Sequence, residues 1–260
     1  MINFDLLEKN LELYAQQFKN NKLFEHIVID NFCEVNKLSQ LLETIPDPID
    51  ENVNKSRDYF FAKNKYEKSK YKDYGKEFTE LYNDLVSKKF EKILKKITGE
   101  EVFVDREFHG GGLHQGGKGS YLNMHADFNY HPVNKNWYRN LNILLYLNNN
   151  WRKEYGGQLK LKNKNTGETA EIDPLFNRCV IMFTRDYTLH GYDPINFPQG
   201  EYRRSIASYA YTIVDKPENT RSTTWYPEGK NIIKQMLGKK WPKLVKIKNK
   251  IFGSSTVNNK

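Results

Sequence analysis

The sequence predicts an α+β protein in which helices pack against a mainly antiparallel β core. Before residue 100, apolar residues recur with helical spacing, whereas the segment 100–215 contains short β-type runs and no helical pattern. Gly, Asn, Asp and Pro turns separate these runs. Repeated strands of this kind are typical of a barrel or sandwich, so we expect the helices to lie outside it.

The predicted helices lie in the N-terminal part of the chain. Residues 4–19 have an amphipathic pattern, and 25–32 form a short apolar strand, followed by a helix that ends before Pro46. Residues 76–99 have the strongest helical pattern and end at a glycine. Residues 50–75 are charged and rich in Tyr without a clear period, so we expect a surface loop there.

The predicted core is made of seven β-type runs. They are residues 101–108, 120–126, 139–147, 157–162, 169–172, 178–183 and 203–214. After them, residues 216–229 are predicted to be a polar linker, and 230–252 one or two basic amphipathic helices. We therefore expect a single domain over 1–229, with helical support in 1–99 and the core in 100–215, and a C-terminal extension over 230–260.

The net charge of +9 is concentrated in the C-terminal extension. Nine of the 41 Lys and Arg residues and no acid follow residue 229, which leaves 32 basic against 32 acidic residues before it. The body of the protein is therefore neutral, and its composition does not indicate nucleic-acid binding. We interpret the extension as a solvated helix that caps the core, with contact to an anionic membrane or a nucleic acid as the alternative.

The remaining composition favours a reducing compartment. Nothing in the chain approaches 18 consecutive apolar residues, and the acidic, amphipathic N-terminus lacks the features of a signal peptide. The two cysteines, Cys33 and Cys179, are far apart and fit no metal or disulfide spacing. We expect a cytoplasmic protein with reduced thiols.

His125 and Asp127 are the first candidate metal ligands. They lie two residues apart in a predicted strand, so their side chains point the same way and can converge on one ion. The best third ligand is His190, just after the buried run 178–183. Two imidazoles and one carboxylate leave coordination positions open and suit non-haem Fe(II). An isolated His-x-Asp pair is weak evidence, because it is more often a polar strand edge than a metal site.

Other polar residues of the predicted core could face the same interior. Arg203 and Ser205 share one face of the last strand while Arg204 faces the other way, and a barrel-lining Arg can bind a carboxylate through two hydrogen bonds. Asn123 shares the face of His125. We considered a second metal site in the glycine-rich segment 109–117, but interpret its histidines, His109 and His114, as surface residues or substrate contacts.

Residues 120–212 resemble the Fe(II)/2-oxoglutarate-dependent dioxygenases, in particular the prolyl-hydroxylase-like branch. The resemblance is carried by HADFN (125–129), RNLNILLYLNNNWRKEYGGQLKL (139–161), AEIDPLFNRCVIMFTRDYTLHGYDP (170–194) and RRSIASYAYT (203–212). These segments contain, in the order of the family, the His-x-Asp strand, the strand ending in Tyr-Leu-Asn, the Gly-Gly-x-Leu strand, the distal His and the final Arg strand. Together they are far more specific than any single motif.

The resemblance implies a double-stranded β-helix, also called a jelly roll, and a set of site residues. It implies His125, Asp127 and His190 as the Fe(II) ligands. It implies Arg203, with Arg204 in reserve, and Tyr146 as partners of the distal carboxylate of 2-oxoglutarate. Further implied cosubstrate contacts are Leu144, Leu159 and Ser205, and Asn123 is expected beside the ligands.

The implied reaction uses O2 and 2-oxoglutarate to hydroxylate an unactivated C–H bond, releasing succinate and CO2, with ascorbate as the reductant. Asp127 occupies the position that must be vacant for a halide, which favours hydroxylation. Nucleic-acid dealkylating relatives carry an Arg where this chain has Tyr209, which argues against base repair. Peptidyl proline is the leading substrate, and a small molecule or sugar-linked metabolite is the alternative. A different class of function would be a catalytically silent jelly roll that binds an anionic surface or a glycan.

Overall fold

A computed structural model describes residues 1–49, 54–55, 60–229, 232–238, 240–241 and 244. The helices are α1 (Phe4–Lys9), α2 (Leu11–Lys19), α3 (Val35–Glu43), α4 (Lys76–Leu85) and α5 (Lys88–Thr98). The strands are β1 (His26–Ile29), β2 (Asn54–Lys55), β3 (Ala62–Lys68), β4 (Phe103–Val104), β5 (Gly112–Ala126), β6 (Trp137–Tyr146), β7 (Leu159–Asn163), β8 (Thr169–Ile172), β9 (Cys179–Phe183), β10 (Thr188–Tyr192), β11 (Arg203–Ile213) and β12 (Thr224–Trp225).

The strands form a curled antiparallel sheet, which confirms the predicted double-stranded β-helix. Eight strands follow the order β1-β9-β6-β11-β5-β10-β7-β8. The long strand β5 connects the two halves, because its first part pairs with β11 and its last part pairs with β10. The C-terminal end of β5 therefore meets the middle of β10, where His125 and His190 are directly paired.

The helices pack against one side of this sheet, as the sequence predicts. A core cluster joins apolar residues of α4 and α5 to the buried faces of β6 and β9, for example Phe78 and Leu94 with Ile143 and Ile181. The two long helices predicted over 4–19 and 76–99 are each divided into two shorter helices in the structure. The break between α4 and α5 lies at Ser87, whose hydroxyl accepts a hydrogen bond from the Phe90 N–H at 3.1 Å and so begins a new helix.

The predicted loop over 50–75 is wrong for its described part, whereas residues 50–53 and 56–59 lie outside the described residues. Residues 62–68 form β3, which pairs with β5 along much of its length, and Phe61 and Tyr71 are fully buried. The sequence of β3, AKNKYEK, lacks the alternation of apolar and polar residues by which strands are recognised. This strand is specified by its partner β5 and not by its own pattern.

The predicted polar linker over 216–229 is also wrong in its second half. Residues 224–225 form β12, which pairs with β5 at Ala126 and His125, and Trp225 is only 3% exposed.

Two other strands differ from the prediction. The strand β10 is absent from the predicted runs. The run 101–108 is a strand only at 103–104, because the chain turns at Asp105.

Residues 232–238 are helical, in agreement with the predicted basic helix, whereas most of the remaining extension lies outside the described residues. Among the helices of the described ranges, none is long and apolar enough to cross a bilayer.

Candidate active site

A cavity of about 190 Å³ lies between the two halves of the sheet. Its walls come from β3, β5, β6, β7, β10, β11 and β12. It brings together residues that are far apart in sequence, including eight of the predicted site residues: His125, Asp127, Leu144, Tyr146, Leu159, His190, Arg203 and Ser205.

The three predicted metal ligands, which we call the iron trio, converge at one end of the cavity. His125 Nε2 lies 3.5 Å from Asp127 Oδ1, and His190 Nε2 lies 3.4 Å from Asp127 Oδ2. One potential ligand atom from each residue falls within 4.8 Å of the other two. The three donors are therefore grouped closely enough to bind a single ion.

The protonation of the iron trio suits a metal. His125 Nδ1 lies 2.9 Å from the backbone carbonyl of Asn123, which can only accept, so Nδ1 carries the proton and Nε2 has a free lone pair. Asn123 thus contacts the site through its backbone. Burial is the largest cause that lowers the pKa of His190 to about 3, which keeps that imidazole neutral.

Asp127 is held by two residues of β6. Its Oδ2 accepts from Asn142 Nδ2 at 2.9 Å and lies 3.0 Å from Arg139 Nη2. Burial opposes ionisation of this carboxyl, but the adjacent guanidinium of Arg139 outweighs it and is the main cause that holds the pKa of Asp127 well below the ordinary value. Asp127 is therefore a fixed carboxylate with its Oδ1 directed toward His125.

Arg139 is the main residue of the site that sequence reasoning missed. It is 1% exposed, and its guanidinium lies between the rings of Tyr209, at 3.4 Å, and Phe128, at 4.6 Å. It also donates through Nε and Nη2 to Asn142 Oδ1. An Arg in a strand predicted to be part of the core was the available signal, since a buried cation requires a buried anion.

A second group of residues forms a basic end of the cavity. Arg203 Nε donates to the carbonyl of Gly157 at 2.7 Å, and Nη2 lies 3.4 Å from the Tyr146 hydroxyl. Among the described residues, no carboxylate lies within ion-pair distance of Arg203. Gly157 has φ +84°, and a Cβ there would lie 2.9 Å from Arg203 Cδ, so the close approach needs glycine.

Arg204 points away from this basic end. Its Nε donates to Gln115 Oε1 at 3.0 Å, and its N–H to Asn148 Oδ1. Ser205 and Leu144 line the cavity next to Arg203, and Leu159 lies on the neighbouring wall. A buried cation, a tyrosine hydroxyl and apolar walls together fit a small dicarboxylate.

The segment 218–226, which we call the strap, closes the iron end. Its backbone pairs with β5, and its Trp225 ring lies 4.7 Å from the His125 ring and 5.1 Å from the ring of Phe61. Arg221 Nε donates to the backbone carbonyl of Asp127 at 2.9 Å. Sequence reasoning missed the strap because only a Trp-Tyr pair within polar residues signalled it.

A second trio of potential ligands lies outside the iron trio. Asp105 Oδ2 is 3.1 Å from His109 Nδ1 and 3.4 Å from His131 Nε2. His131 Nδ1, however, accepts from the backbone N–H groups of Val133 and Asn134. A neutral His131 must therefore carry its proton on Nε2, the atom that a metal would need, so this second trio is a hydrogen-bonded cluster.

The comparisons with known proteins concern the family and the fold of the chain. Residues 111–211 match the family model of the 2OG-Fe(II) oxygenase superfamily. No curated protein matches the sequence. A prolyl-4-hydroxylase from Pseudomonas putida superposes with a TM-score of 0.57 at 13% identity, covering 78% of this chain and 98% of that one.

Two other solved structures are informative. A prolyl hydroxylase from Trichoplax adhaerens, in complex with a hypoxia inducible factor peptide, has a TM-score of 0.57, 16% identity, and coverage of 81% and 94%. The alpha-ketoglutarate-dependent epimerase SnoN from nogalamycin biosynthesis has a TM-score of 0.51, 9% identity, and coverage of 87% and 89%. At these identities the likenesses establish the fold.

Proposed function

We propose that this chain is a non-haem Fe(II)/2-oxoglutarate dioxygenase of the 2OG-Fe(II) oxygenase superfamily, and that it is a hydroxylase with His125, Asp127 and His190 as its Fe(II) ligands. The observation that carries the proposal is the iron trio, in which two imidazoles and one fixed carboxylate, the donor types that Fe(II) takes, lie close enough together to bind one ion. Bound Fe(II) supplies O2 chemistry that oxidises 2-oxoglutarate to succinate and CO2 while a C–H bond is hydroxylated.

The basic end of the cavity is proposed to bind the cosubstrate. Arg203 and the Tyr146 hydroxyl are the donors for its distal carboxylate, and Ser205 adds a third. Leu144 and Leu159 exclude water from its methylene groups. The buried charge of Arg203, which no described carboxylate balances, supports this assignment, because a dicarboxylate would supply the missing anion.

The proposed substrate is a peptidyl proline. Support comes from the prolyl-4-hydroxylase fold and from the peptide bound to the Trichoplax adhaerens enzyme. The likeness to an epimerase keeps a small molecule or sugar-linked metabolite as the alternative substrate class. Ascorbate is the proposed reductant. The proposed setting is the cytoplasm, supported by Cys33 and Cys179, which are buried and unpaired.

The test is succinate release from 2-oxoglutarate in the presence of Fe(II), O2 and ascorbate, with proline peptides, free amino acids and sugars as candidate substrates. We expect slow turnover without substrate and stimulation by at least one proline peptide. A protein with neither metal-dependent 2-oxoglutarate binding nor succinate release would contradict the proposed enzyme. Stimulation only by a non-peptide compound would contradict the peptidyl substrate alone.

A second proposed function is contact of the C-terminal extension with an anionic surface. Ile232, Ile233, Met236 and Leu237 are exposed on the helical residues 232–238, within a segment whose charged side chains are all lysines. An exposed apolar face with surrounding Lys is typical of helices that lie on anionic membranes. Deletion of residues 230–260 should then abolish cosedimentation with phosphatidylserine vesicles and leave 2-oxoglutarate turnover intact. Equal sedimentation of both proteins would contradict this contact.

A further inference from the structure

One polar atom on the cavity wall has no hydrogen-bond partner among the described residues. It is Nε2 of His114, which is buried from solvent and belongs to a residue that lines the same cavity as the iron trio. A buried polar atom without a partner costs free energy, and in a binding cavity the partner is commonly the ligand. His114 is neither one of the iron trio nor part of the second trio.

Strand pairing locates His114 between the basic end of the cavity and β3. His114 is the direct cross-strand partner of Ser205 on one side and of Glu67 on the other, and Ser205 is in turn paired with Tyr146. Directly paired residues point to the same face of a sheet. His114 therefore faces the interior one strand beyond Ser205, roughly 5 Å farther from Tyr146 than Ser205 is.

The ring of His114 presents an acceptor to this space. The nitrogen other than Nε2 interacts with the backbone of Gly111, whose carbonyl can only accept, so we infer that this nitrogen carries the proton. Burial lowers the pKa of His114 to about 3, and the positive charge of Lys65 acts in the same direction. At neutral pH the imidazole thus has one proton, already used on Gly111, and a free lone pair on Nε2.

We propose that His114 is a substrate-binding residue whose Nε2 accepts a hydrogen bond from an N–H or O–H group of the molecule to be hydroxylated. The proposal rests on the proposed dioxygenase function and identifies a chemical requirement of its substrate. 2-Oxoglutarate at neutral pH has two carboxylates and a ketone and offers no donor, so the cosubstrate cannot be the partner of Nε2. The amide N–H of a peptide or the hydroxyl of a sugar can.

The neighbouring ion pair extends this recognition surface. Lys65 Nζ lies 2.6 Å from Glu67 Oε1, and Lys65 lines the cavity from the strand next to His114. The charge of Lys65 is balanced by Glu67, so the pair presents a polar wall without net charge. A neutral substrate with hydrogen-bond donors, such as a peptide backbone, fits this wall together with the His114 acceptor.

The test compares His114→Leu, which removes the acceptor, with His114→Gln, which keeps an acceptor oxygen near the position of Nε2. The probe is the compound that most stimulates succinate release among the proline peptides, amino acids and sugars tested above. We expect Leu to raise its KM about 10-fold or more and Gln to recover most of the loss. The Kd of 2-oxoglutarate for the Mn(II)-loaded protein should change by less than about 2-fold in both variants.

Unchanged 2-oxoglutarate binding also shows that the variants fold. The proposal is overturned if His114→Leu leaves the KM of the probe unchanged, or if it weakens 2-oxoglutarate binding as much as it weakens the probe. Failure of the proposed function is a separate outcome, because it appears in the wild-type protein as absence of 2-oxoglutarate turnover. A wild-type enzyme that turns over while the Leu variant is unaffected contradicts only the role of His114.

Discussion

The protein contains two clusters of the same composition, each with two histidines and one aspartate, and they differ in where their protons lie. In the iron trio, His125 Nδ1 donates to a backbone carbonyl and leaves Nε2 as a lone pair. In the second trio, His131 Nδ1 accepts from two backbone N–H groups, so Nε2 must be protonated. The two trios have the same residue types and similar distances between their ligand atoms. The hydrogen bond on the opposite ring nitrogen of the histidine decides which trio can bind a metal.

The carboxylates show the same contrast. Asp127 is balanced by Arg139 and lies in a cavity, whereas Asp105 is 3% exposed and its oxygens accept from the backbone N–H groups of Glu107 and His109. The Asp127 carboxylate is held on the wall of the cavity, whereas the Asp105 carboxylate stabilises a turn through these backbone hydrogen bonds. The comparison predicts that changes in the iron trio affect ligand binding, while changes in the second trio affect stability.

The largest expected effect is that of Asp127→Leu. Metal binding should be lost, and the free energy of unfolding should fall by about 3–5 kcal/mol, because Arg139 is left buried without its counter-ion. Mn(II) binding and chemical denaturation measure the two effects. Adding Arg139→Met should restore stability but not metal binding. Retention of the Mn(II) site in Asp127→Leu would break the contrast between the trios.

Arg203→Met tests whether the basic end of the cavity binds the cosubstrate 2-oxoglutarate. The Kd of 2-oxoglutarate should rise about 10- to 100-fold through loss of charged hydrogen bonds, while Mn(II) affinity stays within about 2-fold. The matched control is Arg204→Met, on the opposite face of β11, which should leave 2-oxoglutarate binding nearly unchanged. The assignment fails if the two variants weaken 2-oxoglutarate equally.

Asp105→Asn tests the structural role of the second trio. Burial opposes ionisation of Asp105, but the hydrogen bond with His131 and those from the backbone outweigh it and lower its pKa from 3.8 to about 2. Because the native pKa is depressed, the contribution is present above pH 4 and is lost as pH falls through 2. The variant should lose about 2 kcal/mol at pH 7, and the difference should shrink toward pH 2.

Denaturation at several pH values measures this difference, and Mn(II) binding at pH 7 should be the same in both proteins. A pH-independent loss of stability would contradict the proposed role of the Asp105 charge.

The smallest expected effect is that of Arg221→Met in the strap. Arg221 contacts the iron trio through the backbone carbonyl of Asp127, and its charge acts on the Asp127 carboxylate from a distance, so we expect Mn(II) affinity to fall about 10-fold. Arg185→Met is the control, because Arg185 is also partly buried but donates to the Thr184 carbonyl instead. The Mn(II) affinities of the two variants, measured by equilibrium titration, should differ. Equal Mn(II) affinities would contradict an influence of the strap on the metal site.

The sequence predicted the parts of the protein that alternate regularly or that carry a known motif. The long runs of β6, β9 and β11 appear close to their predicted bounds. The order of the motifs predicted that His125, His190 and Arg203 belong to one site, and all three line the same cavity. The strands could be predicted because their patterns are local in the sequence. The site residues could be predicted because their side chains are types that bind one shared metal ion or ligand.

The missed features depend on contacts between distant segments. Strand β3 and the strap have no periodic pattern of their own and are defined by pairing with β5. The buried pair of Arg139 with Asp127 and the meeting of His131 with Asp105 join residues 12 and 26 positions apart, which no spacing rule relates. The acceptor role of His131 is visible only once its backbone donors are located.

A titration of the metal-free protein with Mn(II) tests most directly that the iron trio, and not the second trio, is a metal site. The wild-type protein should bind one Mn(II) per chain with high affinity. His131→Gln should retain that site and His125→Gln should lose it. Two high-affinity ions per wild-type chain, with one of them lost in His131→Gln, would contradict the claim that the hydrogen bond on the far ring nitrogen decides which trio binds metal.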